Sequence, residues 1–198
     1  GESLSVVMEL VKSGDLGKWL RGHKKKDLND PYHTVYRQFV EEIAEGMAHL
    51  SSKGIIHRDL AARNILITEK KHIKITDFGL AKRLEDKNYY RIKSPTDLPV
   101  FWTAPECYSP GYKVTLESDV WSFGVVMWEI YSEGRSPYLT PKRENVEHLK
   151  AVCSGERLQK SSDWPDFIQT LMDKCWQIDA KDRPSFVDIV KELKETAV

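Results

Sequence analysis

The run Val120-Trp121-Ser122-Phe123-Gly124-Val125-Val126-Met127-Trp128 is apolar almost all the way round a helix. A helix with one apolar stripe can lie on a surface. One that is apolar on every side has to be enclosed by other elements. Thr115 stands where a capping hydroxyl would start it. The run is too short to span a bilayer. A chain with such a segment must wrap further structure around it, and most of the remaining sequence offers helices.

Leu16 to about Lys24 reads as a short helix after the break at Ser13-Gly14-Asp15. Asn29-Asp30-Pro31 pairs a capping side chain with a proline suited to a first turn. Val35, Phe39, Ile43, Met47 and Leu50 then recur at near-helical spacing, and Gly54 closes the region. Thr140-Pro141 and Asp163-Trp164-Pro165 look like two more caps, each followed by an early proline. Phe186, Ile189, Val190 and Leu193 share one stripe of a last helix. Residues 3–11 alternate as a strand, with Leu4, Val6, Met8 and Leu10 on one face and Val7 and Val11 on the other. Asn64–Thr68 and His72–Thr76 read as two short strands around a charged turn, and residues 77–110 as loop. The expected fold class is mainly α with a few short β-strands.

Composition removes several functions. The chain has 198 residues, with 30 Lys plus Arg against 30 Asp plus Glu. That balance gives no overall reason to expect a nucleic-acid or membrane partner. The three cysteines, Cys107, Cys153 and Cys175, form no CxxC pair. A disulfide framework or zinc site is not expected, and a reducing compartment fits better. The opening Gly1-Glu2-Ser3 runs straight into a strand pattern and reads as a cut end.

The chemistry-bearing run is His57-Arg58-Asp59-Leu60-Ala61-Ala62-Arg63-Asn64. Asp77-Phe78-Gly79 follows after the hairpin, and Ala104-Pro105-Glu106 after that. The first run matches the protein-kinase catalytic loop H-R-D-L-x-x-x-N. Five fixed letters at that spacing arise by chance about once in a few million positions. With the two tripeptides in the same order, the whole chain resembles the carboxy-terminal lobe of a protein kinase. The resemblance implies a kinase-like large lobe in residues 12–198, with catalytic loop 57–64 and activation segment 77–106. Residues 1–11 would be the last small-lobe strand and the hinge.

The resemblance implies roles residue by residue. Phosphoryl transfer needs positioning and charge neutralisation more than covalent help. Asp59 is then the catalytic base, and Asn64 and Asp77 hold Mg²⁺ through oxygen. Met8 is the gatekeeper, Glu9, Leu10 and Val11 face the adenine of ATP, and Leu66 lies beneath it. His57 and Phe78 are packing residues. Glu106 pairs with Arg183, and Asp119 accepts hydrogen bonds from the catalytic-loop backbone.

Ala61-Ala62-Arg63 resembles the tyrosine-kinase version of the loop, in which Arg63 holds the substrate end of the site. Pro99-Val100-Phe101-Trp102-Thr103-Ala104-Pro105-Glu106, Cys175-Trp176 and Asp182-Arg183-Pro184-Ser185-Phe186 agree with it. The implied activity is transfer of the ATP γ-phosphoryl group to a protein tyrosine hydroxyl. The expected location is the cytoplasm or the cytoplasmic part of a membrane receptor. Tyr89-Tyr90 stands in the activation segment as a phosphorylation site, with Arg58 as the cation for a phosphate and Arg83 or Lys82 assisting. The paired tyrosines and Pro99–Trp102 look like the Janus kinases, and the tandem alone also resembles the spleen-tyrosine-kinase and insulin-receptor groups. Thr103 departs from the Janus form, so the subfamily stays open.

No G-x-G-x-x-G and no V-A-I-K-like strand occur in the 198 residues. By themselves they are therefore expected to be inactive or nearly so, with the small lobe as a needed partner. A pseudokinase-like scaffold or a truncated regulator is the alternative. A scaffold has no chemical need of Asp59, Asn64 and Asp77.

Overall fold

The computed structural model describes residues 9–23, 32–85, 87–92, 99–108, 111, 113–138 and 144–196. Met8 and the pairs expected to open helices at Asn29-Asp30-Pro31 and Thr140-Pro141 lie outside them. So does most of the strand expected at residues 3–11, and Glu9, Leu10 and Val11, which are described, form no strand.

Helix α1 spans Leu16–Gly22, and the Asp15 carboxylate caps it by accepting the Lys18 N–H at 2.9 Å. Helix α2 spans Tyr32–Ser52. Its buried stripe is Tyr36, Phe39, Val40, Ile43, Ala44 and Met47, each at most 2% exposed, with Val35 and Leu50 half-buried at its margins. Fully burying one large aliphatic or aromatic side chain contributes about 1.5–3 kcal/mol, so this stripe, and not helix propensity, holds α2 in place. Gly54 ends the region with φ +66°, a left-handed conformation that costs glycine nothing, and its carbonyl accepts the Leu84 N–H at 2.7 Å.

Three antiparallel two-stranded pairs follow. β1 (Ile55–Ile56) pairs with β4 (Lys82–Arg83), and β2 (Ile65–Ile67) with β3 (Ile73–Ile75). β5 (Tyr90–Arg91) pairs with β6 (Lys113–Val114). The β2–β3 hairpin is shorter than the sequence pattern suggests. Asn64 belongs instead to a 3-10 turn, Ala62–Asn64, because its side chain is drawn back to Asp59. The stretch expected to be loop also holds β4, β5 and the 3-10 turns Phe78–Leu80 and Pro105–Tyr108.

Helix α3 spans Leu116–Tyr131 and is enclosed, with Val120, Phe123, Val125, Val126, Met127 and Ile130 at most 1% exposed. It is not apolar throughout. Ser118, Asp119, Ser122 and Glu129 are also buried, and together they make a polar seam. α4 spans Asn145–Cys153, α5 Asp166–Cys175 and α6 Phe186–Glu195. Pro165 sits at the N-cap of α5, where its carbonyl accepts the Ile168 and Gln169 N–H groups. The helix starts after the proline and not at it. Ser185 and Asp188 cap α6 reciprocally.

α3 packs on α2 and α5, and α2 on α6. Gly124 lets α3 meet the end of α5: a Cβ there would stand 2.5 Å from Trp176 Nε1. The three cysteines are free thiols; Cys107 and Cys175 are buried and Cys153 is exposed. Among the described residues no helix is long and apolar enough to cross a membrane.

Candidate active site

The loop from His57 to Asn64 leaves β1 and returns to β2. Arg58 has φ +71° and Asp77 has φ +61°, both left-handed without being glycine. Each such residue costs about 1–3 kcal/mol and persists only where its surroundings hold it. For Arg58 the holder is Asp119, from the polar seam of α3. Its carboxylate accepts the N–H of His57 at 2.7 Å and that of Arg58 at 2.9 Å. Burial pushes the Asp119 carboxyl up to about 7, against the two N–H groups, which pull it down.

His57 is fully buried, with Phe78 as a ring neighbour at 5.1 Å. Its Nδ1 accepts the Asp59 N–H at 3.3 Å, so the proton sits on Nε2, which donates to the Thr76 carbonyl at 3.0 Å. Burial holds this imidazole below its ordinary value, in keeping with the neutral tautomer. The Thr76 N–H in turn donates to the Asn64 carbonyl at 3.0 Å. Thr76 is thus bonded on both sides to the loop, and Asp77 is the next residue. Asp59, Asn64 and Asp77 are brought to one place by these backbone contacts.

Within the loop, Arg63 Nη2 donates to Asp59 Oδ1. Asn64 Nδ2 donates to Asp59 Oδ2 and to the Asp59 carbonyl, both at 2.8 Å. Both N–H bonds of that amide are used, which leaves Asn64 Oδ1 to face a cation. Asn64 Oδ1 and the Asp77 carboxylate are an oxygen donor set that fits Mg²⁺. That ion takes one or two protein ligands and fills its remaining positions with phosphate and water oxygens. Among the described residues no cluster of three or more His, Cys, Asp or Glu forms a cage that would bind a metal without such help.

The residues assigned to adenine are less gathered. Glu9 pairs with Lys74 at 2.8 Å, and Leu10 is 80% exposed. A recess of about 530 Å³ lies between Glu9–Val11 and the Thr68–Lys74 turn; Leu66, Asp59, Asn64 and Asp77 do not line it. Leu66 is half-buried in β2, opposite Lys74.

Tyr89 and Tyr90 meet different cations. The Tyr90 ring has Arg58 Cζ at 5.0 Å and Lys82 Nζ at 5.8 Å. Tyr89 has Lys113 at 4.7 Å, Arg91 at 5.8 Å and Lys87 at 5.9 Å. Arg83 lies in β4 and lines one recess together with Leu84, Glu85 and both tyrosines. Arg58 also donates to the Leu80 carbonyl at 2.9 Å. Farther out, Arg183 grips Glu106 through two bonds, at 2.7 and 2.8 Å.

The sequence reading assigned no role to Glu129, Ser122 or the Trp102 side chain. Glu129 Oε2 accepts the Ala62 N–H and the Trp102 Nε1–H, both at 2.9 Å, and Ser122 Oγ donates to the Trp102 carbonyl at 2.7 Å. One signal was present: a glutamate inside an apolar helix must find buried donors or remain in water.

Residues 1–193 match the family of protein tyrosine and serine/threonine kinases, and the chain belongs to that family. Its mostly helical architecture is that of the kinase large lobe. The chain is 40% identical to the insulin-like growth factor 1 receptor of Xenopus laevis, over 98% of its own length and 14% of the receptor's. It is also 40% identical to the tyrosine-protein kinase transforming protein ros of UR2 avian sarcoma virus, over 96% of the chain and 48% of that protein. The tyrosine-protein kinase receptor TYRO3 of Danio rerio is 41% identical over 96% of the chain and 21% of the receptor. The chain therefore spans less than half the length of each of these relatives.

Proposed function

We propose that residues 12–198 are the carboxy-terminal lobe of an ATP-dependent protein tyrosine kinase, with residues 1–11 its last small-lobe strand and hinge. The reaction is transfer of the ATP γ-phosphoryl group to a tyrosine hydroxyl of a protein substrate. The observation that carries this reading is the bond chain from His57 through Thr76 to Asn64, which sets Asp77 beside the loop of Asp59.

Asp59 accepts the proton of the substrate hydroxyl, and Arg63 holds the substrate end. Asn64 Oδ1 and Asp77 would hold Mg²⁺, which would neutralise charge on the phosphates. By the family resemblance, Met8, Glu9, Leu10 and Val11 are assigned to the hinge that faces adenine and Leu66 to the floor beneath it. The location that suits this activity is the cytoplasm, or the cytoplasmic part of a receptor.

A longer protein that contains this chain and a small lobe is expected to label tyrosine peptides and to leave serine peptides unlabelled. The 198 residues alone carry no glycine-rich loop and no strand lysine, and are expected to be almost inactive. Equal labelling of both peptides would refute the tyrosine assignment, and turnover by the 198 residues alone matching the longer protein would refute their expected inactivity.

Tyr89 and Tyr90 are proposed phosphorylation sites. A phosphate on Tyr90 gains Arg58, the neighbour of Asp59, and Lys82. One on Tyr89 gains Lys113, Arg91 and Lys87. Mass spectrometry after incubation with ATP should find one or both modified, and two bare tyrosines in an active preparation would count against these sites.

A further inference from the structure

α3 holds Trp102 at both ends. Ser122 takes its carbonyl at 2.7 Å and Glu129 its indole N–H at 2.9 Å. Ser122 and Glu129 are two helical turns apart and so project from one face of α3. The oxygen that accepts the indole N–H also accepts the Ala62 N–H of the catalytic loop. One buried atom therefore fixes the loop that carries Asp59 and the segment that carries Trp102.

The connection continues outward. The Arg63 guanidinium lies over the Trp102 ring at 4.3 Å, and the same guanidinium bonds Asp59. The Arg63 side chain is 41% exposed. Without a platform, a side chain with so many rotamers would leave the carboxylate for water part of the time. The ring supplies the platform, and Glu129 sets its angle. Burial pushes the Glu129 carboxyl up to about 7, while the Trp102 and Ala62 donors pull it down.

We infer that Glu129 is a positioning residue for the catalytic base, acting through Trp102 and Arg63 on Asp59. This rests on the tyrosine-kinase reading above. Glu129 touches no substrate. What it does is keep the base and its arginine in one geometry, and a misplacement of about 1 Å at a reacting group can lower a rate a hundredfold.

The test uses a kinase that contains this chain and a small lobe, with a tyrosine peptide as substrate and kcat expressed per ATP-binding site. Trp102→Phe keeps an aromatic ring beside Arg63 and removes the indole N–H that Glu129 holds, together with part of the ring area. Glu129→Leu removes the acceptor itself. Each should lower kcat about tenfold or more, with the KM for ATP within about twofold of the parent. The double variant should be no slower than the slower single, because both act on one connection. Glu129→Gln keeps an oxygen acceptor and should recover at least about fivefold of the kcat lost in Glu129→Leu.

A merely structural role would lower the melting temperature and the fraction of active molecules without moving kcat per site. The inference is overturned if folded Trp102→Phe keeps kcat within about twofold of the parent. It is equally overturned if the two losses multiply, or if Gln is no better than Leu. Should Glu129→Leu not fold, Trp102→Phe decides alone. An Asp59→Asn control that stays active would instead count against the kinase reading itself.

Discussion

Asp59→Asn, in a kinase that carries this chain, should lower phosphoryl transfer about 10²–10⁴-fold, the usual contribution of a positioned general base. The substituted amide has the same shape but cannot accept the proton. The fold should survive, because the Asp59 carboxylate is at the rim of the site and not in the core: its side chain is 18% exposed. The local cost is one mismatched contact. Both carboxylate oxygens accept from donors, Arg63 on one side and Asn64 on the other. An amide can offer only one acceptor, so its NH₂ must face a donor or turn to solvent. The Asp59 carbonyl still accepts from Asn64, which keeps the loop closed. The measurement is kcat on a tyrosine peptide beside a thermal melt. A variant that melts like the parent and retains more than about a tenth of its rate would remove Asp59 from the role of base.

Arg183→Ala should destabilise the fold by about 3–5 kcal/mol, the cost of breaking a buried ion pair from one side. A guanidinium has five N–H donors, and here each has an acceptor. Nε donates to the Gln177 carbonyl at 2.9 Å. Nη1 donates to Glu106 at 2.7 Å and to the Glu117 carbonyl at 2.9 Å. Nη2 donates to Glu106 at 2.8 Å and to the Ile178 carbonyl at 3.3 Å. The Arg183 side chain is fully buried, and its guanidinium lies over the Trp121 ring at 5.1 Å. Alanine would strand one carboxylate and three carbonyls.

Arg183→Lys should recover little, because three donors on one nitrogen cannot span the same acceptors. The urea midpoint of the alanine variant should fall by about 1 M or more. A shift below about 0.3 M would mean that water replaces the arginine at little cost, as at an exposed pair. Glu106 is 24% exposed, which places the expectation toward the lower end of the range.

The features legible before the structure share one property: they depend on neighbours close in sequence. The stripe of α2 follows from 3.6-residue spacing. Asp59, Arg63 and Asn64 gather because they sit four and five residues apart in one loop. Where local reading erred, the competing contact was often just as local. Asn64 left the strand for Asp59, and the carbonyl of Pro165 took the N-cap of α5.

Apart from Asp119, whose bonds to the loop backbone the family resemblance implied, the polar seam of α3 was hidden for a different reason. Ser118, Asp119, Ser122 and Glu129 are few among many apolar residues, so the pattern reads as a wholly apolar helix. Their partners are far along the chain. Glu129 meets Ala62 across 67 positions and Trp102 across 27, and Ser122 meets Trp102 across 20. By itself the sequence determined the order of helices and the kinase-family motif at residues 57–64, because short-range geometry and fixed spacing need no tertiary context. Only the tertiary structure decided that Glu129 grips the Ala62 amide and the Trp102 indole. A charge removed from water must take whatever donors the packing brings to it, and the packing is a property of the whole chain.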